Sequence, residues 1–126
     1  MIEGIGIDVV EIPRMQRAID VWGNVFLTKI LTDQEISYAH SKKNPTPHIA
    51  ARFAVKEAVA KALTIGWSGG FRWKDVEVTN DTGGKPEVVL YGQVRELLKR
   101  SKILVSISHS ENVVVAFAII EKDGAR

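Results

Sequence analysis

A carboxylate inside an apolar first strand is the most informative chemical group in the sequence. Asp8 lies in the segment MIEGIGIDVVEI, whose Ile, Val and Gly residues predict a strand over residues 2–10. A charge in such a strand costs stability unless something pairs with it, and a divalent cation is one such partner. The plainer interpretation is that Asp8, near the end of the strand, caps the helix that follows. Both interpretations remain open from the strand alone.

Glu57 and Lys61 form a second candidate pair. They are four residues apart in the segment 49–63, which is rich in alanine, lacks Gly and Pro, and predicts a long helix. They therefore share a helix face, which also fits an exposed ion pair that contributes only about 0.3–0.5 kcal/mol. If this helix packs on the first strand, Asp8 and Glu57 converge as oxygen ligands for Mg²⁺, with the other positions left to water and substrate phosphates.

The segment SISHS at 106–110 places serines beside a histidine. It lacks the Gly-x-Ser-x-Gly context of a nucleophile elbow, which argues against a serine hydrolase and favours a strand end whose His109 faces a ligand. Basic side chains occur in loops and on the long helix, where simple solvation explains each one singly. Gathered by the fold, they would form a pocket for several phosphates; they are Lys42, Lys43, Arg52, Lys61 and Lys85.

Both helices and strands are predicted as the elements that position these groups. Together they indicate a single α+β domain spanning residues 1–126. Pro13 suits the first turn of a helix that continues through Met15, Ile19 and Trp22. Thr32 and Glu35 have the spacing of a capping box and predict a second helix that stops before the loop HSKKNPTP. Downstream, the patterns predict a hairpin of strands 76–79 and 87–91, a helix over 94–100, and a final hairpin of strands 103–108 and 113–120.

Composition excludes several classes of function. The 126 residues include no cysteine, which rules out disulfides, thiolate nucleophiles and Cys-ligated metals. The 17 basic and 15 acidic residues are interspersed, and the few aromatics do not alternate with a basic stripe, so nucleic acid is a poor partner. The start of the chain lacks the pattern of a signal peptide, and no apolar run approaches the length of a membrane span. We therefore expect a cytoplasmic protein with no membrane partner.

Four segments taken together resemble the holo-acyl-carrier-protein synthase family of phosphopantetheinyl transferases. They are GIGIDVVEI at 4–12, RFAVKEAVAKAL at 52–63, GGKP at 83–86 and SISHS at 106–110. Their order and spacing fit that family across nearly the whole chain. The resemblance implies a small antiparallel-sheet domain packed on a long central helix, assembled as a homotrimer whose active sites lie between neighbouring subunits.

The resemblance also implies roles for individual residues. Asp8 and Glu57 would hold Mg²⁺, and Lys61 would neutralise a phosphate oxygen of coenzyme A, so that these three form the catalytic group. Arg14 would dock acidic residues of an acyl carrier protein. The adenosine end of coenzyme A, with its 3′-phosphate, would meet Arg52, Lys85 and His109, with Gly84 and Pro86 shaping the backbone around it.

The implied reaction is attack by a carrier serine on the β-phosphate of coenzyme A, which releases 3′,5′-ADP in the service of fatty acid biosynthesis. The proton acceptor stays open among Glu57, a water on the metal and a carboxylate of the carrier. Two other functions fit the same residues. One is a module that binds a nucleotide or an acidic protein without reaction, and the other is a Mg²⁺-dependent phosphohydrolase that needs no protein acceptor.

Overall fold

The structure is a computed structural model that describes residues 1–63 and 70–122. Strands and helices are mixed along the chain, as the sequence predicts for an α+β protein. In chain order the elements are β1 (Ile2–Glu11), α1 (Ile12–Ile30), α2 (Asp33–His40), α3 (Pro45–Ala62), a 3₁₀ turn (Trp73–Asp75), β2 (Val76–Asn80), β3 (Pro86–Leu90), α4 (Gly92–Leu97), β4 (Ser101–His109) and β5 (Val113–Lys122).

Two antiparallel sheets form within the described residues. In the larger one, β5 lies between β1 and β4, and the register pairs Asp8 with Ala116 and His109 with Val114. The smaller sheet is the hairpin of β2 and β3. The first strand and both hairpins of the sequence prediction are therefore confirmed. Because β1 and β4 flank the same central strand, the sheet carries Asp8 and His109 toward one end.

The long helix α3 is the centre of the core. Most of its side chains are buried, including Ala54, Val55 and Ala58, and it packs on β1 and on β5. Small side chains suit this position because they let a strand approach the helix closely. At Gly4 and Gly6 of β1 the helix backbone comes so near that no side chain would fit. The prediction of an antiparallel-sheet domain on a long helix is confirmed.

Helix boundaries differ from the prediction in α2, α3 and α4. The helix α2 ends at His40, the first residue of the predicted loop. The helix α3 begins at Pro45 rather than at residue 49, since Pro45 and Pro47 lie in the first turn, where a missing N–H costs no helical hydrogen bond. The loop before it shrinks to residues 41–44. The helix α4 covers Gly92–Leu97 rather than 94–100, because the chain turns into β4 at Ser101.

The helix α1 begins as predicted with Pro13 in its first turn, and it is kinked at Gly23, where φ is 56° and ψ is −138°. That positive φ is a conformation that residues with side chains rarely adopt. The capping box before α2 is confirmed: the Thr32 N–H donates to Glu35 Oε1 at 2.9 Å, and the Glu35 N–H donates to Thr32 Oγ1 at 3.2 Å. Within residues 1–63 and 70–122, no helix combines the length and apolar character needed to cross a bilayer.

Candidate functional site

The structure brings Asp8 and Lys61 into direct contact across the packing of α3 on β1. Lys61 Nζ donates to Asp8 Oδ1 at 2.9 Å and to the carbonyl oxygen of Ile7 at 3.1 Å. The Asp8 side chain is 14% exposed, whereas that of Lys61 is 53% exposed. The carboxylate is thus largely buried, while the ammonium group of Lys61 still faces solvent and can meet an incoming anion.

Glu57 completes this group from one turn earlier on α3. Its pKa is raised, first by partial burial and then by the nearby charge of Asp8, while Lys61 acts in the opposite direction. Two carboxylates close enough to repel each other, with one cation beside them, form a site that a further positive charge would stabilise. Asp8, Glu57 and Lys61 therefore lie together, as the sequence analysis expects.

The donor chemistry of this group fits Mg²⁺, whose sites commonly use one or two protein carboxylates and leave the other positions to water and substrate phosphates. Asp8 and Glu57 supply such oxygens. Among the described residues, no cluster of three or more His, Cys, Asp or Glu side chains is arranged to hold a metal by itself. A cation held here by the two carboxylates would complete its coordination with water or with phosphate oxygens of a substrate.

A cavity of about 600 Å³ opens beside the two carboxylates, between the end of β1, α1 and α3. Asp8 and Glu57 line one part of it, and apolar side chains such as Met15, Phe26 and Phe53 line another. Arg14 lies on its wall, with its side chain 74% exposed and 3.8 Å from Glu11. The cavity thus has a charged part, formed by the two carboxylates, and an apolar part. The exposed side chain of Arg14 lies on its wall.

Arg52 lies in a different environment, between α3, α2 and β2. It is 3% exposed, donates to Asn80 Oδ1 at 2.9 Å, and stacks 4.2 Å from the ring centroid of Tyr38. Burial lowers its pKa, although a guanidinium stays protonated in proteins. Within residues 1–63 and 70–122, its Nε is a buried donor with no hydrogen-bond partner. A cavity of about 200 Å³ adjoins the Arg52 side chain.

Further basic groups surround Tyr38. Lys42 Nζ is 4.7 Å from the ring centroid, and the His48 ring meets that of Tyr38 edge-on at 5.8 Å. The pKa of His48 is lowered, first by burial and then by the positive charges of Arg52, Lys42 and His109. The fold therefore gathers Lys42, Arg52 and His109 into one positive region. Of the five basic residues predicted to form a phosphate pocket, Lys42 and Arg52 lie here, whereas Lys61 contacts Asp8.

The turn between β2 and β3 adjoins this region through Asn80. Asn80 Nδ2 donates to the carbonyl oxygen of Gly84 at 3.0 Å, and Gly84 adopts a φ of 87° that suits glycine. The Arg52 guanidinium is thus linked through Asn80 to the GGKP turn. Lys85 and Pro86 line a separate cavity of about 510 Å³ with Ile103 and neighbouring residues, and neither lines the cavity beside Arg52.

Three residues around Arg52 are not predicted from the sequence: Tyr38, His48 and Asn80. Helix periodicity offers a signal for one of them, because His48 lies four residues before Arg52 on α3 and must share its face. Tyr38 and Asn80 reach Arg52 only through the packing of α2 and β2 on α3. No local pattern in the sequence indicates those contacts.

Comparisons with known proteins give a consistent result. The family model of the 4′-phosphopantetheinyl transferase superfamily matches residues 4–118. The holo-[acyl-carrier-protein] synthase of Thermodesulfovibrio yellowstonii is 47% identical over 120 residues, which cover 95% of this chain and 99% of that one.

Solved structures show the same likeness in three dimensions. The synthase of Neisseria meningitidis superposes with a TM-score of 0.90 at 34% identity, covering 97% of this chain and all of the other. That of Bacillus anthracis, solved in complex with CoA (3′,5′-ADP), gives a TM-score of 0.84 at 35% identity and covers 98% and 99% of the two chains.

Proposed function

The chain belongs to the 4′-phosphopantetheinyl transferase superfamily, and we propose that its reaction is that of a holo-[acyl-carrier-protein] synthase. It transfers 4′-phosphopantetheine from coenzyme A to a serine of an apo acyl carrier protein and releases adenosine 3′,5′-bisphosphate. The observation that carries this proposal is the contact of Asp8 with Lys61, beside Glu57, at the mouth of an open cavity. Cytoplasmic carriers of fatty acid biosynthesis are the substrates we propose.

The diphosphate of coenzyme A is the part of the substrate that suits this charged group. Asp8 and Glu57 would hold Mg²⁺, which when bound neutralises the charge on the diphosphate. Lys61 has a solvent-facing ammonium group that can donate to a phosphate oxygen while it keeps Asp8 in place. As in other phosphoryl transfers, positioning and charge stabilisation supply most of the rate.

In the chemical step, the serine oxygen of the carrier attacks the phosphorus next to pantetheine. The bond from that phosphorus to the oxygen of the 5′-phosphate breaks, and the electron pair leaves with adenosine 3′,5′-bisphosphate. Three groups could accept the serine proton: a water molecule, a carboxylate of the carrier, or Glu57, whose pKa is raised by partial burial and then by the charge of Asp8. Lys61 lies close enough to stabilise the charge that develops on phosphate.

The positive region around Tyr38 suits the adenosine end of coenzyme A. The Arg52 guanidinium borders a cavity and would attract the 3′-phosphate, and Lys42 and His109 add positive potential beside it. The turn of Gly84, Lys85 and Pro86 would then shape the backbone near the nucleotide. A phosphate with two negative charges gains more from such a region than a phosphodiester does, which favours the 3′-phosphate.

Arg52 and Lys61, one from each region, project from opposite sides of α3. Arg52 and Lys61 are nine residues apart on α3, so about 180° of helix rotation separates them. A coenzyme A molecule that uses both sets of groups would therefore bridge two copies of the chain. A homotrimer with its sites between subunits satisfies this requirement.

The larger sheet offers a surface for that assembly. In the middle of β1, three side chains that face away from α3 are apolar and more than half exposed: Ile5, Ile7 and Val9. Leu104 of β4, across β5 on the same face, is 47% exposed. Contiguous exposed apolar surface of this kind marks contact sites between proteins. A second copy of this chain is the occupant we propose.

The carrier protein would approach along α1. Arg14 lies on the wall of the cavity that holds Asp8 and Glu57, and Ala18 continues that wall one turn further. Val21 and Val25 lie further along α1, on either side of its kink at Gly23, and are 70% and 75% exposed. A carrier that inserts its serine into the cavity would thus meet a basic group first and an apolar strip beyond it.

Intact-mass spectrometry tests the proposed reaction. Apo acyl carrier protein is incubated with this protein, coenzyme A and Mg²⁺, beside reactions with EDTA and with the Glu57→Ala variant. We expect the carrier to gain the mass of one phosphopantetheine, and both controls to show no gain. Binding of coenzyme A without any gain on several carriers would contradict the proposal, and so would its hydrolysis in the absence of a carrier.

A further inference from the structure

Two glycines of β1 touch the backbone of α3. A Cβ added at Gly4 would lie 1.9 Å from the carbonyl oxygen of Ala62, and one added at Gly6 would lie 1.8 Å from that of Ala58. Ordinary van der Waals contacts of a Cβ are 3.4–4 Å. Because the obstructing atoms belong to the helix backbone, no side-chain rotation can relieve the clash. A methyl group at either position would force strand and helix apart by roughly 1–2 Å.

This contact leads directly to the charged group. Side chains alternate along a strand, so Gly4, Gly6 and Asp8 point to the same face of β1, toward α3. Asp8 is thus the first residue on that face, after the two glycines, that has a side chain able to carry chemistry. Its short side chain meets Lys61 at 2.9 Å, and Lys61 also donates to the neighbouring carbonyl oxygen of Ile7. Both hydrogen bonds depend on the small separation between strand and helix.

We propose that Gly4 and Gly6 are positioning residues of the transfer reaction: they set the separation of β1 and α3 at which the Asp8 carboxylate meets Lys61 and Glu57. The inference rests on the proposed function. It assigns to the glycines no contact with substrate. They act only through Asp8, whose place relative to α3 they determine.

The Gly6→Ala variant tests this inference. We expect its kcat to fall on the order of 10²-fold, because a misplacement of about 1 Å at a reacting centre has that effect. The KM for the carrier protein should stay unchanged, since Arg14 lies on α1 and not on β1. Mn²⁺ binding to the protein alone, followed by electron paramagnetic resonance, should weaken as well. Wild-type kcat together with wild-type Mn²⁺ affinity in Gly6→Ala would overturn the inference.

A variant with a longer carboxylate side chain distinguishes an effect on the position of Asp8 from an effect on folding. Asp8→Glu adds one C–C bond, about 1.5 Å, and should lower kcat in the wild-type background. In the Gly6→Ala background the same change should restore part of the lost rate and of the Mn²⁺ affinity, because the longer side chain spans the wider gap. Losses that simply add in the double variant would overturn the inference. If Gly6→Ala does not fold, Gly4→Ala, whose Cβ would meet the carbonyl oxygen of Ala62, takes its place, and wild-type kcat with wild-type Mn²⁺ affinity in that variant would overturn the inference.

A matched control reduces stability without moving the strand outward. Ile120 of β5 is buried at 2% exposure, and Ile120→Val removes one methyl group from the same core. It should lower the melting temperature while leaving kcat and Mn²⁺ affinity unchanged; an equal loss of both would attribute the Gly6→Ala effect to instability and overturn the inference. Absence of transfer in the wild type would instead contradict the proposed function, and the Mn²⁺ affinities would still decide the positioning role.

Discussion

Asp8 and Glu57 bear like charges in a shared environment, and among the described residues Lys61 is the neighbouring cation that opposes their repulsion. We expect Asp8→Ala and Glu57→Ala to lose on the order of 10³-fold or more in Mg²⁺-dependent transfer, because each removes an oxygen ligand. In EDTA the melting temperature of Glu57→Ala should match or exceed that of the wild type, since the repulsion is relieved, whereas Asp8→Ala also loses its ion pair with Lys61. Undiminished turnover in Glu57→Ala would contradict the metal assignment.

Arg14 stands apart from the reacting centre, on an exposed part of α1. Reversal of its charge should weaken the encounter with an acidic carrier without any effect on the chemical step. In Arg14→Glu we expect the KM for carrier protein to rise roughly tenfold or more, with kcat and the KM for coenzyme A unchanged. Arg17→Glu, on the same helix but not on the cavity wall, is the matched control. Equal effects of the two substitutions would indicate a general loss of positive charge.

For single residues, the sequence predicts a functional role where the signal lies in the neighbouring residues of the chain. Glu57 and Lys61 share a helix face by spacing alone, and Asp8 stands out because a charge is rare in so apolar a strand. Tyr38 and Asn80 carry no such signal. They matter because α2 and β2 pack on α3, and that arrangement depends on contacts between residues far apart in the chain.

At the scale of elements, a buried ion pair joins α2 to α3. Lys56 Nζ lies 2.8 Å from Glu35 Oε1, and both side chains are fully buried. Lys56 also donates to the carbonyl oxygen of Trp73, and Glu35 accepts from the N–H of Val78. The sequence identifies Glu35 as a capping residue, and the structure adds that the same carboxylate anchors β2 and neutralises a lysine. The positions of Tyr38 and Asn80 around Arg52 depend on this link.

Loss of Lys56 would leave the Glu35 carboxylate buried without its partner. We expect Lys56→Met to destabilise the fold by about 3–5 kcal/mol, measured by urea denaturation followed by circular dichroism. Lys99→Met, whose lysine lies 4.0 Å from Glu96 on the surface, should change stability by no more than about 0.5 kcal/mol. A small effect of Lys56→Met would mean that Glu35 finds another partner or takes up a proton.

Element boundaries show why patterns locate helices better than they locate helix ends. The alanine-rich run of α3 is evident from its composition, but the residues before it include two prolines that read equally as loop or first turn. The structure resolves this in favour of the helix from Pro45 onward. The small residues of β1 are visible in the sequence as well, yet only the packing shows that Gly6 touches the backbone of Ala58.

At the scale of the whole molecule, the exposed apolar face of the larger sheet and the opposed positions of Arg52 and Lys61 lead to one expectation. We expect the protein to assemble as a trimer in light scattering, and Ile7→Lys to shift it toward the monomer, since Ile7 is 55% exposed on β1. Lys99→Ala, which removes an exposed charge outside the sheet, is a suitable control. A wild-type monomer at micromolar concentration would contradict the shared site.

Mixed assemblies test the shared site directly. If each site takes Asp8 from one subunit and Arg52 from its neighbour, two inactive variants can complement each other. Asp8→Ala and Arg52→Met, co-expressed in equal amounts, should recover about a quarter of wild-type activity, because subunits combine at random in a symmetric ring. Persistent inactivity of the mixture, with trimers still formed, would place both sets of groups within one subunit.

The two lysines of α3 differ in their exposure to solvent, and this difference provides an internal standard for chemical footprinting. Lys56 is fully buried in its ion pair, whereas Lys61, five positions later, is 53% exposed. An amine-reactive reagent should therefore acetylate Lys61 and leave Lys56 unmodified for as long as the protein stays folded. The ratio of acetylation at the two lysines, measured on adjoining peptides, then distinguishes occupancy of the site by coenzyme A from unfolding of the protein. Bound coenzyme A should protect Lys61 alone, while denaturation should expose both amines together.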